Sequence, residues 1–168
     1  MPSRRSTNSC TLVIPARRRS TRLPDKLLLR DTGKSVLQHT YEAACQTRCP
    51  RTILIATDDD EIASEARRFG AQVVMTSPEC PSGSDRVAED VRDNDYSSVV
   101  VNLQGDEPEI DPEAVDALIE SLWKNPTASM ATLATPIRKK SLLDDPACVK
   151  VVFGFDGQAL YFSRNPIP

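Results

Sequence analysis

Five basic side chains crowd one short stretch: Arg17, Arg18, Arg19, Arg22 and Lys26 follow directly on the apolar run Leu12-Val13-Ile14. Guanidinium and ammonium groups at this density suit a multiply charged anion, above all a polyphosphate. The loop from Pro15 to Lys26 holds no glycine, so it is neither a P-loop nor a dinucleotide fingerprint. Side chains must then supply much of the positive charge, beside backbone N–H groups. Arg22 and Lys26 frame Leu23-Pro24, and the proline stiffens the turn that presents Lys26. A solvated basic loop is the alternative for any run of arginines.

A complementary charge comes from Asn102-Leu103-Gln104-Gly105-Asp106-Glu107-Pro108. A buried strand ends at Gln104, Gly105 permits a sharp turn, and Asp106 is aimed over the sheet edge. A carboxylate facing a polyphosphate needs a cation between them, and Mg²⁺ takes one or two carboxylates plus phosphate oxygens. Asp106 as a Mg²⁺ ligand accounts for the acid and for the basic loop opposite; an acidic turn into the next helix is the alternative. Glu107 is less suited, because Pro108 holds it extended. Asp58, in Ala56-Thr57-Asp58, reads first as a helix cap and second as a contact to a ribose or base. Ser82-Gly83-Ser84-Asp85-Arg86 offers small residues that can hug a base or a phosphate, or a plain N-cap at Ser84. His39 and the five cysteines have no partners at useful spacing and read as structural.

The elements that must position these groups alternate. Strands are predicted at Thr11–Ile14, Thr52–Ala56, Gln72–Met75, Val99–Leu103 and Met130–Thr135. Helices are predicted over Lys34–Gln46, Asp59–Phe69 and Ser84–Asp93, and after the cap Asp111 with Pro112 in first position. Asp156-Gly157, between Val149–Phe153 and Ala159–Phe162, signals a hairpin. The fold class is therefore α/β: a mostly parallel sheet with helices on both faces, ending in a β-hairpin. In such sheets ligands bind beyond the carboxyl ends of the strands, where both charged loops fall.

The 168 residues suffice for one domain with a real core, expected over residues 10–168 after a polar, flexible tail at 1–9. Net charge is −3, yet residues 1–30 carry eight basic side chains against one acid. That local charge suits a small anion better than a nucleic acid, which asks for a broad basic face. Five scattered cysteines, no C-x-x-C pair and a single histidine argue against a zinc site or a disulfide framework and for a reducing cytoplasm. No apolar run is long enough to span a membrane, and Met1–Ser9 lacks the core of a signal peptide.

In this order the motifs resemble the 3-deoxy-manno-octulosonate (Kdo) cytidylyltransferase family. The likeness rests on Ile14-Pro15-Ala16-Arg17 with Ser20-Thr21-Arg22-Leu23-Pro24 and Lys26, and on Ala56-Thr57-Asp58. It continues through Ser82-Gly83-Ser84-Asp85-Arg86, Gln104-Gly105-Asp106-Glu107-Pro108, and Ala159-Leu160-Tyr161-Phe162-Ser163-Arg164 with Ile167-Pro168. The resemblance implies a nucleotide-diphospho-sugar transferase type of fold and Mg²⁺-dependent transfer of CMP from CTP to Kdo, for lipopolysaccharide synthesis. It implies that Arg17, Arg22 and Lys26 hold the triphosphate and that Asp58, Ser82 and Arg86 lie around the cytidine. Gln104 would orient nucleotide or sugar, Asp106 would bind Mg²⁺, and Arg164 would face the Kdo carboxylate. Arg22, Lys26 and Asp106 would thus be the catalytic set, and a homodimer is implied for the full-length family.

Three positions depart from the family pattern. Asp25 stands where a glycine is usual, and aspartate tolerates a left-handed turn. Cys80-Pro81 stands where a histidine is usual. Family members also continue past Ile167-Pro168, so the chain is expected to be an N-terminal portion with weak or absent turnover. A CMP-sialate-type synthetase, a non-catalytic CTP-binding module and a structural α/β domain are the alternatives. Pyrophosphate release with either sugar acid, CTP binding without release, and no nucleotide binding would distinguish them.

Overall fold

In the computed structural model the described residues are 9–18, 23–93 and 98–167. The chain forms two compact units, Met1–Ala131 and Thr132–Pro168. In the first, β1 (Cys10–Ala16), β2 (Thr52–Thr57), β3 (Gln72–Met75) and β4 (Val99–Asn102) make a parallel sheet in the order β3-β2-β1-β4. The chain builds outward from β1 to β2 and β3, then crosses back to place β4 on the other side of β1. The topological switch point therefore lies between β1 and β4.

Side-chain alternation assigns the layers. Leu12, Ile14 and Ala16 of β1 pack with α1 (Val36–Ala44), α2 (Asp60–Arg68) and α4 (Pro112–Lys124) through Leu37, Ile62, Ala66, Val115 and Ile119. On the other face Val13, Leu54 and Ala56 pack against Val87 of α3 (Gly83–Asp93). Helices thus cover both faces, as the patterning requires.

Strand β1 runs through Pro15 to Ala16, two residues beyond the predicted end. A proline inside a central strand removes a ladder donor. Here the cost is avoided: the Val13 carbonyl accepts from Leu103 N–H on the β4 side, Pro15 has the same parity, and pairing with β4 has already ended at Val13.

Helix boundaries follow their caps. Ser35 accepts from Gln38 N–H at 3.2 Å and Asp111 from Glu113 N–H at 2.9 Å. Asp59, not Asp58, caps α2, accepting from the N–H groups of Glu61 and Ile62 at 3.0 Å each. Gly70, at φ +84°, ends that helix.

The predicted strand Met130–Thr135 does not form; these residues carry no strand or helix, and Met130 is 83% exposed. Its alternating pattern suits a one-faced strand, but a strand needs an adjoining edge. Residues 129–131 line, with Val99 and Val100, a cavity of about 370 Å³ and do not pair with β4.

The second unit has a short helix α5 (Lys140–Asp144), which was not predicted, and an antiparallel pair, β5 (Lys150–Phe153) with β6 (Ala159–Ser163). Their turn closes where Gly157, at φ +81°, donates to the Gly154 carbonyl. The Lys150 ammonium is buried and donates to the carbonyls of Asp145 (2.9 Å) and Arg164 (2.5 Å).

Candidate functional site

Two loops converge at the switch point. Lys26 Nζ, from the loop after β1, donates to Asp106 Oδ2, from the loop after β4, at 2.7 Å; the side chains are 40% and 42% exposed. The lysine opens a 3-10 turn (Lys26–Leu28) that Asp25 enters in the left-handed region, at φ 53°. Aspartate therefore adopts here the conformation that the usual glycine allows. Leu27 anchors the turn in the core.

The acidic loop is held as firmly. Leu103 is buried and its N–H is bonded to β1. Thr40 of α1, fully buried, donates its hydroxyl to the Gly105 carbonyl at 2.9 Å. A Cβ at Gly105 would stand 3.3 Å from the Pro15 carbonyl oxygen and 3.5 Å from the Leu27 methyls. The loop carrying Asp106 thus packs directly on the end of β1.

A second charge pair lies one strand away. Arg86 of α3 is 0% exposed and reaches Asp58 Oδ1 at 3.0 Å with Nη2; Asp58 is 24% exposed. Nη1 contacts the Thr76 hydroxyl, whereas Nε and Nη2 have no hydrogen-bond acceptor in line. The Arg86–Asp58 contact is an ion pair at an angle that falls short of a hydrogen bond. Asp58 is thus not the helix cap that the sequence favoured.

Ser82, rather than Ser84, caps α3: its hydroxyl accepts from Asp85 N–H at 3.1 Å and contacts the Asp85 carboxylate. Ser84 is left free to accept from Asn102 Nδ2 (3.2 Å), and Asn102 Oδ1 accepts from Gln104 Nε2 (3.2 Å). Asn102, Thr40 and Thr76 are the site residues that sequence reasoning missed. Only Asn102 left a signal, as the polar residue ending Val99-Val100-Val101.

Cys80, in place of a histidine, donates its thiol to Glu89 Oε2 at 3.1 Å, and Glu89 Oε1 accepts from Ser77 N–H at 2.6 Å. Burial, then the Glu89 carboxylate, pushes the thiol up; the Ser77 N–H and the thiol hold Glu89 below the usual carboxylate range. These bonds tie residues 77–80 to α3. In the basic loop, Arg17 is exposed, and Arg18 pairs with Asp25 (2.8 Å) and Glu61 (2.5 Å). Arg22 lies outside the described residues. Arg164 belongs to the second unit, where its guanidinium donates to the Pro146 carbonyl at 3.0 Å.

Among the described residues no three acids, histidines or cysteines stand together as a metal cage. A single exposed carboxylate still matches Mg²⁺, which usually keeps waters and adds substrate phosphate oxygens. Asp106 fits that requirement.

A parallel α/β sheet with charged loops converging at its switch point defines an α/β fold that binds its ligand beyond the carboxyl ends of the strands. Comparison with known proteins narrows the class. The family model described as Cytidylyltransferase matches residues 11–168, and the chain belongs to that family. It is 46% identical over 159 residues to a 3-deoxy-manno-octulosonate cytidylyltransferase of Rhodopirellula baltica, covering 95% of this chain and 64% of that protein. An 8-amino-3,8-dideoxy-manno-octulosonate cytidylyltransferase of Shewanella baltica is 45% identical over 164 residues, covering 94% and 66%. A solved CMP:2-keto-3-deoxy-manno-octonic acid synthetase complexed with CTP matches with a TM-score of 0.90 at 39% identity, covering 95% of this chain and 66% of that one. The chain therefore spans slightly less than two thirds of the length of these relatives.

Proposed function

We propose that the protein transfers CMP from CTP to Kdo, releasing pyrophosphate. The observation that carries this is the Lys26–Asp106 pair at the switch point, in a chain 46% identical to a 3-deoxy-manno-octulosonate cytidylyltransferase. The anomeric hydroxyl of Kdo attacks the α-phosphorus in line. An O–P bond forms, the bond to pyrophosphate breaks, and the hydroxyl proton passes to solvent. Such chemistry is mostly positioning and charge stabilisation.

Arg17, Arg22 and Lys26 hold the triphosphate and offset the charge on the leaving pyrophosphate. Asp58 and Ser82 lie around the cytidine, with Arg86 acting from beneath through Asp58. Gln104, fixed by Asn102, orients nucleotide or sugar, and Arg164 faces the Kdo carboxylate. Asp106 would hold Mg²⁺, which supplies further electrostatic stabilisation of the phosphate oxygens. His39 lies within α1 with its ring on the Thr32 hydroxyl at 2.6 Å, and the proposal gives it no role in the reaction.

The product, CMP-Kdo, serves lipopolysaccharide synthesis, and the compartment is the cytoplasm; five free cysteines support a reducing environment. No helix among the described residues is long and apolar enough to cross a membrane. A homodimer belongs to the same proposal, and sedimentation measures it.

The test is pyrophosphate release from CTP and Mg²⁺ with Kdo, its 8-amino-8-deoxy analogue and N-acetylneuraminate offered separately, beside CTP binding by calorimetry. Release with Kdo above the other two is the expected result. Release with N-acetylneuraminate alone would move the protein to the sialate synthetases. Binding without release from any acid would leave a CTP-binding module.

A further inference from the structure

Asp106 already holds a cation, and it is a lysine. Lys26 Nζ sits 2.7 Å from Oδ2, in a pair open to solvent on one side. The two partners differ in freedom. Asp106 stands on a backbone fixed by the Thr40 hydroxyl on Gly105 and by the contact of Gly105 with β1. Lys26 ends a flexible four-carbon stem, so it is the partner that moves.

An ammonium seated on a carboxylate opposes a divalent cation twice: it neutralises the charge and occupies an oxygen. No further acid among the described residues completes a cage to outweigh it. A triphosphate carries more negative charge than one carboxylate and offers the ammonium several acceptor oxygens. We infer that Lys26 is a guard on Asp106. It denies the carboxylate to a free divalent cation and yields it when nucleotide phosphates take the ammonium, so that metal and nucleotide are accepted together. The identity of the nucleotide rests on the cytidylyltransferase proposal; the pairing does not. Lys26 then has opposite effects on two ligands, weakening metal bound alone and strengthening nucleotide.

The test titrates the nucleotide-free chain with Mn²⁺ alone, followed by loss of the free-ion EPR signal. Lys26→Met and Lys26→Gln should each bind Mn²⁺ about tenfold tighter than wild type, the scale of removing one unit charge beside a solvent-facing carboxylate. Adding Asp106→Asn to either variant should erase the gain. In the presence of Mn²⁺, CTP should bind both Lys26 variants more weakly than wild type. The Lys26 side chain is partly exposed, and thermal melts confirm that the variants fold. Mn²⁺ affinity unchanged or lowered in both Lys26 variants overturns the inference, as does a gain that survives Asp106→Asn. Failure of wild type to bind CTP, with the Mn²⁺ gain intact, instead overturns the functional proposal and the release by this nucleotide, and leaves only the block by Lys26 on free metal at Asp106.

Discussion

Asp25 and Gly105 meet different demands at the same site, one of backbone conformation and one of space. Asp25 takes the left-handed conformation, and its carboxylate accepts from Arg18 Nε at 2.8 Å. Gly105 needs no unusual φ; it is small because the Pro15 carbonyl oxygen is 3.3 Å from where a Cβ would be. Gly105→Ala should therefore push the loop by a few tenths of an ångström and cost about 1 kcal/mol through overpacking. The larger effect should fall on the site, because Asp106 follows directly: CTP affinity should drop several-fold while the melting temperature falls only slightly. Calorimetry beside a thermal melt checks this, and unchanged CTP affinity would show that Asp106 is not placed by that contact. Arg18 shows how one residue's role depends on its neighbours. It was one of the loop's basic side chains by sequence, but it is committed to Asp25 and Glu61, leaving Arg17 and Lys26 as the described basic groups that face outward or toward Asp106.

Elements are joined by buried carboxylates as much as by apolar contact. Asp116 of α4 is 4% exposed and accepts the backbone N–H groups of Arg48 (3.0 Å) and Cys49 (2.9 Å), which lead into β2, and Arg48 Nε at 3.2 Å. Burial alone would push this carboxyl up; the N–H donors of Cys49 and Arg48 outweigh it and hold it below the ordinary value. A carboxyl depressed in the folded state adds stability above its unfolded pKa, about 3.9, and loses it as pH falls through the folded value. Asp116→Asn presents a donor to the same N–H groups and should cost about 1–3 kcal/mol at pH 7. The gap to wild type should narrow as pH falls below the unfolded value and close once the native carboxyl, held below that value, is protonated as well. Urea melts across pH 2.5–7 read the difference, and a gap independent of pH would exclude the charge as its cause.

Over the whole molecule, charge is segregated: −3 in total, against eight basic and one acidic side chain in the first thirty residues. Net charge repels an anionic nucleotide while the basic loop attracts it, and salt screens both. Attraction acts at the shorter range, so CTP affinity should fall about tenfold between 0.05 and 0.5 M salt, since the screening length shrinks from over 10 Å to a few ångströms. Affinity insensitive to salt would remove the basic loop from the triphosphate site.

Much of this molecule was legible from local pattern. The apolar runs gave β2 and β3 nearly to the residue, Asp111-Pro112 marked the start of α4, and the left-handed tolerance of aspartate anticipated Asp25. Each depends on chain neighbours only, through side-chain periodicity, caps and φ preference. The order β3-β2-β1-β4, the absence of a strand at Met130–Thr135, the choice of Asp58 over Asp59 to meet Arg86, and the Lys26–Asp106 pair across 80 residues were decided by tertiary structure alone. A strand exists only where a neighbouring edge accepts its hydrogen bonds, and a charge finds its partner only where the folded chain brings one within a few ångströms.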